Sequence, residues 1–360
     1  MIYVILGTKG QFMKMFPLMK LFDKHKVSYR FIHTGQHYGI IEDNIKRFNI
    51  RKPDVYLTIK KKDLKNILEM MIWIPKVIWN SRKLKIKKED WVLIHGDAES
   101  TLLGLIIGKF FRAKVAHIEA GERSKNIFEP FPEELIRMVS DLFSDICFCS
   151  YREFKENIKY KKEAYVTFGN TVFDSVALAL REKPSEVVKK LTKTNFALFL
   201  IHRKENVFIM KRLNAIIDIL EDMLKSGFKV VWPMHVNTEY ELKKKKVWKR
   251  IKKLKQEYSL ELGYFFDYVD FMHLVKNCEF VASDGGGLQD ETYFLNKPLL
   301  ILRNVVEQDY SLNKTSYLSM LDSKRVKYFL GNYKNFTRDK IIKGSPTKVI
   351  VEYFLNKQKK

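Results

Sequence analysis

Short apolar runs alternate with segments of helical period from the first residue to about residue 302. Ile2-Tyr3-Val4-Ile5-Leu6 predicts a strand, and apolar positions three and four apart from Met13 to Lys24 predict the helix that follows. The pattern continues with strand 28–33, helix 39–48, a mostly helical stretch 62–83, strand 91–94, helix 99–111, strand 113–118 and helix 132–143. A second series opens at Phe196, with strands 196–201, 228–232, 261–266, 279–283 and 298–302 and helices 207–225, 238–257, 270–276 and 288–295 between them. Apolar strands alternating with helices indicate parallel sheets covered on both faces. An α/β fold of two doubly wound domains is therefore expected, residues 1–170 and 171–344, with a hinge through Gly169-Asn170 and Arg181-Glu182-Lys183-Pro184-Ser185. A last helical pattern within 345–360 is expected to cross back to the first domain.

This alternation puts several carboxylates at one sheet edge. His95-Gly96-Asp97 follows Trp91-Val92-Leu93-Ile94, and His117-Ile118-Glu119-Ala120-Gly121-Glu122 follows the run from Ala113. Asp97 and Glu119 thus sit near the carboxyl ends of their strands, where open α/β sheets bind ligands. Pro130-Phe131-Pro132-Glu133-Glu134 supplies Glu133, with Arg137 one helical turn on. Such acids can act as acid, base or cation stabiliser, because apolar walls and neighbouring charges move their pKa values toward the working pH. Each acid alone reads equally well as a helix cap. Three on consecutive segments favour a reaction site.

Two loops suit a phosphate. Gly7-Thr8-Lys9-Gly10-Gln11 turns backbone N–H groups and a helix N-terminus toward one spot, although it is neither a Gly-x-Gly-x-x-Gly nor a Walker loop. The stronger signal is Ser283-Asp284-Gly285-Gly286-Gly287-Leu288-Gln289-Asp290-Glu291, where three glycines let a pyrophosphate approach the backbone and the helix dipole opposes its charge. Glu291, one turn into that helix, is within reach of a ribose diol; a tight turn without ligand is the competing reading. His202 in His202-Arg203-Lys204-Glu205 and His235 in Trp232-Pro233-Met234-His235-Val236-Asn237 each follow a strand. Lone histidines are often structural, but two beside a glycine-rich loop point to a ligand cleft.

Composition adjusts this picture little. A formal charge of +24 raises nucleic acid as a partner, yet the densest run, Lys243 to Lys255, sets Val247, Ile251 and Leu254 at helical spacing and reads as a solvated helix face. Neither nucleic-acid binding nor membrane insertion is expected: no stretch holds the 18 or so consecutive apolar residues of a spanning helix. Met1 leads straight into the first strand with no basic leader before it, which suggests a cytoplasmic protein. Cys147, Cys149 and Cys278 have no metal-ligand spacing and read as reduced core residues.

At these residues the chain resembles the UDP-N-acetylglucosamine 2-epimerases, whose two Rossmann-like domains face each other across a cleft in the glycosyltransferase-B manner. Matching segments include Gly7-Thr8, Lys14-Met15-x-Pro17-Leu18, Thr34-Gly35-Gln36-His37, His95-Gly96-Asp97, His117-Ile118-Glu119-Ala120-Gly121, Pro132-Glu133-Glu134-x-x-Arg137, Gly169-Asn170-Thr171-Val172, His202-Arg203-Lys204-Glu205, Pro233-x-His235-x-Asn237 and Asp284-x-Gly286-Gly287-x-Gln289-x-Glu291. The resemblance implies a homodimer that binds UDP in the second domain and needs neither cofactor nor metal. It places Lys14, Asp97, Glu119, Glu133, Arg137 and His202 at catalytic positions. Thr8, Gln36, His37, His235, Gly285, Gly286, Gly287 and Glu291 fall at substrate-binding ones, with Glu291 matching the ribose glutamate and His202 and Lys14 placed to hold the departing diphosphate. The chain departs from the family where Gly7-Thr8-Lys9-Gly10-Gln11 replaces Gly-Thr-Arg-Pro-Glu, Asp284-Gly285-Gly286-Gly287 replaces Asp-Ser-Gly-Gly, Glu307-Gln308-Asp309-Tyr310 replaces Glu-Arg-Pro-Glu, and Tyr38-Gly39 stands for a polar pair implicated in allosteric substrate binding. The implied reaction converts UDP-N-acetylglucosamine to UDP-N-acetylmannosamine by UDP elimination and re-addition. A hydrolysing epimerase that releases the free sugar and a glycosyltransferase of the same architecture are the alternatives.

Overall fold

A computed structural model describes residues 1–358 except 38, 60–63, 65–66, 125–130, 235, 264–265, 307–308, 340–341 and 343. By internal packing the chain divides into two units, Met1–Ser175 with Gly344–Lys360, and Val176–Lys343.

In chain order the first unit contains β1 (Ile2–Leu6), α1 (Lys9–Lys24), β2 (Tyr29–His33), α2 (Gly39–Arg47), β3 (Val55–Tyr56), α3 (Ile67–Ser81), β4 (Trp91–His95), α4 (Glu99–Phe110), β5 (Lys114–Ile118), α5 (Glu133–Phe143), β6 (Ile146–Cys149), α6 (Arg152–Glu156) and β7 (Ala164–Val166). The strands form one parallel sheet in the order β3-β2-β1-β4-β5-β6-β7, with Ile2 of β1 in register with both Tyr29 and Trp91. Every residue of β1 is buried, as a central strand with helices on both faces requires. α1 begins at Lys9 rather than Met13, because Thr8 caps it and Gln11 reciprocates in a capping box. α3 is shorter than the predicted 62–83, ending at Ser81 in a 3-10 turn, and β3, β6 and β7 are three strands the pattern did not reveal.

α7 (Val172–Ala179) carries the chain across the boundary. The first unit reaches Ser175 instead of stopping at 170, since the Ser175 hydroxyl donates to the Met13 carbonyl and the Asp174 carboxylate accepts from the Thr347 N–H at 2.8 Å.

The second unit continues with α8 (Glu186–Leu191), β8 (Ala197–Leu200), α9 (Lys204–Val207), α10 (Met210–Lys225), β9 (Val230–Pro233), α11 (Val236–Lys244), α12 (Trp248–Glu257), β10 (Leu260–Gly263), α13 (Tyr268–Asn277), β11 (Val281–Ser283), α14 (Gly286–Leu295), β12 (Leu299–Ile301), β13 (Ser316–Leu318) and α15 (Ser323–Asn332). Its sheet is also parallel, in the order β10-β9-β8-β11-β12-β13. The helix predicted over 238–257 is two helices, broken near Lys246 at φ +61°. Val247, Ile251 and Leu254 are buried, so the lysine run does sit on the outside of an apolar face.

The chain then returns to the first unit as α16 (Pro346–Gln358), which packs on α1. Phe354 is buried there, 6.1 Å from the Phe22 ring and 5.5 Å from that of Trp91. No described helix is long and apolar enough to cross a membrane.

Candidate active site

In each sheet the chain order reverses once, between β1 and β4 and between β8 and β11, and this is where open α/β sheets leave a crevice beyond the strand ends. Most sequence-predicted residues follow these strands or their immediate neighbours. Thr8 follows β1, Gln36 and His37 follow β2, Asp97 follows β4, and Glu119 follows β5; His202 follows β8, and Gly285 to Gly287 follow β11.

The first unit gathers its charged groups into two pairs. The Lys14 ammonium is ion-paired with the Glu119 carboxylate, which also accepts from Asn170 Nδ2 at 2.5 Å and lies 3.8 Å from His95 Nε2. Burial alone raises the Glu119 carboxyl pKa, but the Lys14 charge, His95 and the hydrogen bonds from Lys14 and Asn170 outweigh it and hold the acid ionised. Burial drives the His95 imidazole down to about 4, so it is neutral at physiological pH. Glu119 adopts φ +67°, a conformation that is uncommon and costly outside glycine and concentrates at functional sites. Lys14, expected on the departing diphosphate, here sits in an ion pair with a carboxylate of its own unit.

Asp97 is ion-paired with Arg137, whose second guanidinium nitrogen is 3.5 Å from buried Glu134. Glu134 also accepts from the Ser124 N–H at 3.0 Å, so it serves as an anchor for Arg137. Glu133 differs: burial and then the charges of Asp97 and Glu99 raise its pKa against the pull of Arg137. Its buried Oε2 has no hydrogen-bond partner among the described residues.

Three further residues hold this edge, and none was among the predicted site residues. His117 Nδ1 lies 2.7 Å from Asp141 and its Nε2 2.9 Å from the Gly96 carbonyl, so one ring ties the Asp97 loop to α5. Asp141 also accepts from the Gly121 N–H at 3.1 Å and pairs with Arg123 at 2.7 Å. Gly121, at φ +81°, has no room for a side chain: a Cβ would lie 2.2 Å from the Phe154 carbonyl oxygen. The third is Gln11. Its Oε1 accepts from the N–H groups of Gly7 and Thr8 and from Ser100 Oγ, while Nε2 donates to the His95 carbonyl and to Thr101, each at 2.8 Å. Gln11 thus occupies the Gly7 and Thr8 N–H groups of the loop expected to face an anion. The Thr8 hydroxyl is likewise engaged, accepting the Gln11 N–H, and His37 Nδ1 accepts from the Lys9 N–H. Gln36 uses both ends of its amide on Glu99 and the Ser100 N–H.

The second unit is organised around one acid. Asp284 is completely buried and accepts from the N–H groups of His202 and Arg203, each at 3.0 Å, and from Asn206 Nδ2 at 3.1 Å. It fixes the loop after β8 and leaves the His202 side chain 57% exposed. Gly285 lies beside that ring, where a Cβ would be 3.0 Å from the movable His202 Cε1. Gly285 is the N-cap of α14 and no side chain caps it, so the helix N-terminus suits an anion. Glu291 accepts from Tyr268 OH at 2.9 Å, and that hydroxyl is kept protonated by burial and by the carboxylate beside it. His235 lies outside the described residues, as do Tyr38 and the Glu307-Gln308 pair.

The model of the UDP-N-acetylglucosamine 2-epimerase family matches residues 19–335 of this chain. A UDP-N-acetylglucosamine 2-epimerase of Methanococcus maripaludis is 31% identical over 87% of this chain and 86% of its own length. The UDP-2,3-diacetamido-2,3-dideoxy-D-glucuronate 2-epimerase of Pseudomonas aeruginosa is 30% identical over 85% and 84%. Among solved structures, Methanocaldococcus jannaschii UDP-GlcNAc 2-epimerase in complex with UDP-GlcNAc and UDP superposes with a TM-score of 0.82 at 25% identity, over 99% of each chain. The chain belongs to the UDP-N-acetylglucosamine 2-epimerase family and is a nucleotide-sugar C2-epimerase.

Proposed function

We propose that the chain interconverts UDP-N-acetylglucosamine and UDP-N-acetylmannosamine, the first unit supplying acid–base and cation-stabilising groups and the second the nucleotide site. The observation that carries the acid–base assignment is a pair of carboxylates in the first unit driven in opposite directions, Glu119 held ionised by Lys14 and Glu133 pushed up by burial. Two acids with separated pKa values mark separate roles.

The C2 hydrogen of the sugar is barely acidic, so cleavage of the C1–O bond runs ahead of proton loss. UDP leaves with that bonding pair, and the oxocarbenium character left at C1 is stabilised by nearby carboxylate charge. Glu119 and Asp97, each fixed by a cation, suit that task. The C2 proton passes to a carboxylate while the C–H pair becomes the C1–C2 double bond of a glycal. Glu133, with a raised pKa and an unpartnered oxygen, is fitted to take or return a proton. Protonation at the opposite face of C2 and return of UDP to C1 give the epimer. His202 and the N-terminus of α14 hold the diphosphate, and Glu291 the ribose.

Incubation with UDP-N-acetylglucosamine in deuterated water tests the reading. Deuterium at C2 of both epimers is the expected result. No exchange with any UDP-acetamido sugar would sink it, free N-acetylmannosamine with stoichiometric UDP would establish the hydrolysing outcome, and sugar transfer to an acceptor without exchange would establish the transferase. The homodimer and cytoplasmic location that complete the reading rest on the family resemblance.

A further inference from the structure

The start of α7 makes one contact on each side of the ion pair between Lys14 and Glu119. Just before the helix the Asn170 side chain is buried; its Nδ2 donates to Glu119 at 2.5 Å and its Oδ1 accepts from the Val172 N–H at 3.0 Å. The second bond settles the first, because an oxygen facing Val172 leaves the NH₂ end for the carboxylate. The backbone there is anchored as well. The Gly169 N–H donates to the Ser150 carbonyl at 2.8 Å, and the Phe173 N–H to the Asn170 carbonyl at 3.0 Å. Gly169 itself sits at φ +151°, where a Cβ would be 2.4 Å from the Phe173 ring. Further along, buried Ser175 donates to the carbonyl of Met13, the residue before Lys14. Val176 to Ala179 of the same helix belong to the second unit.

We propose that Asn170 and Ser175 are positioning residues for the epimerisation: the first fixes the Glu119 carboxylate, the second the turn of α1 that carries Lys14, so the helix joining the units holds the ion pair in place. Local structure does not call for asparagine. Aspartate makes the same turn before a helix and caps it as well. What aspartate cannot do is donate to Glu119. Among the described residues, the groups facing that carboxylate are Lys14 from α1, the neutral His95 at the end of β4, and Asn170. A neutral amide holds the carboxylate without cancelling the charge that is to stabilise C1. The inference rests on the role given to Glu119 above.

Asn170→Asp separates positioning from local structure. It keeps the turn and sets two carboxylates against each other, which then share a proton, so the upper pKa of the pair rises above its unfolded value. A carboxyl raised on folding confers stability that is present at low pH and lost as pH rises, whereas a partly protonated Glu119 works least well at low pH. Relative to wild type, N170D should therefore gain in urea midpoint yet lose C2 exchange as pH falls from about 8 to about 5.5, with turnover down at least about tenfold at the lower end. UDP affinity, read by calorimetry, should not change. A structural role alone would move stability and turnover together, so parallel pH responses overturn the proposal, as does wild-type turnover at every pH. Adding Glu119→Gln to N170D should restore the urea midpoint at about pH 8, because the new amide donates to the introduced carboxylate. No restoration overturns the contact. If N170D does not fold, Asn170→Ser, which keeps a capping hydroxyl, is read in its place, and undiminished turnover overturns the proposal. Ser175→Ala should lose about threefold in turnover with UDP affinity unchanged; full turnover overturns that half. A wild type with no exchange on any substrate is a failure of the proposed reaction, and the urea midpoints still judge the contact with Glu119.

Discussion

The two units solve opposite problems at equivalent places in their sheets. In the first, the charged groups at the strand ends are mostly held in pairs: Glu119 with Lys14, Asp97 with Arg137 and His117 with Asp141, while Gln11 has five partners. In the second, one buried acid, Asp284, fixes the backbone, and what faces outward is an exposed imidazole, three glycines and a helix N-terminus. Charges that must act on a reacting carbon gain from a rigid, dry setting, where neighbours set their ionisation. A diphosphate needs only cations and unhindered N–H groups. The contrast supports the proposed division, chemistry in one unit and nucleotide in the other.

The sharpest way to break this division is Asp97→Asn or Glu133→Gln. Each keeps shape and removes a charge or a proton carrier, so turnover is expected to fall by about 10²-fold or more, while calorimetry shows UDP affinity little changed. Loss of UDP binding in these variants would end the assignment. Asp284→Asn comes next, since its new NH₂ group turns toward donors that now have a carboxylate. The second unit should lose about 2 kcal/mol in urea denaturation, with UDP binding weakened. His202→Ala and Glu291→Ala should each weaken UDP by about tenfold, or 1.4 kcal/mol, the second also at a cost in stability because it leaves the buried Tyr268 hydroxyl without its acceptor.

The smallest effect separates the units by pH. The imidazoles of His33 and His95, both in the first unit, are held down near 4 by burial, against about 6.5 in the unfolded chain. A folded value below the unfolded one means that the unfolded state takes the proton first. The stability these groups confer is therefore complete above pH 6.5 and is lost as pH falls toward 4. Between pH 7 and 5.5 each should cost the first unit about 1 kcal/mol. Chemical denaturation at the two pH values measures this, and His95→Gln should flatten half of the drop.

Much of this was legible in the sequence, for reasons that also explain the gaps. Central strands such as β1 and β4 are uninterrupted apolar runs, and the carboxylates stood directly after them. β7 has three residues, only partly buried, too few to leave a pattern. The break after α11 falls at Lys246, which takes a left-handed conformation that no glycine announced. Gln11 falls in the loop when the helix is taken from the apolar period that opens at Met13, although Thr8-x-x-Gln11 carries the capping-box signature that starts a helix. The roles of His117 and Asp141 depend on residues 24 apart meeting across β5 and α5, a pairing that no local pattern encodes.

The return of α16 to the first unit has a consequence for how the molecule is made. Phe354 completes a core begun by Phe22 and Trp91, yet it is synthesised after every residue of the second unit. During translation the second unit can therefore close first, while the first waits with an unfilled groove along α1. A chain cut short before residue 346 would keep the second unit whole and lose the clasp that closes the first.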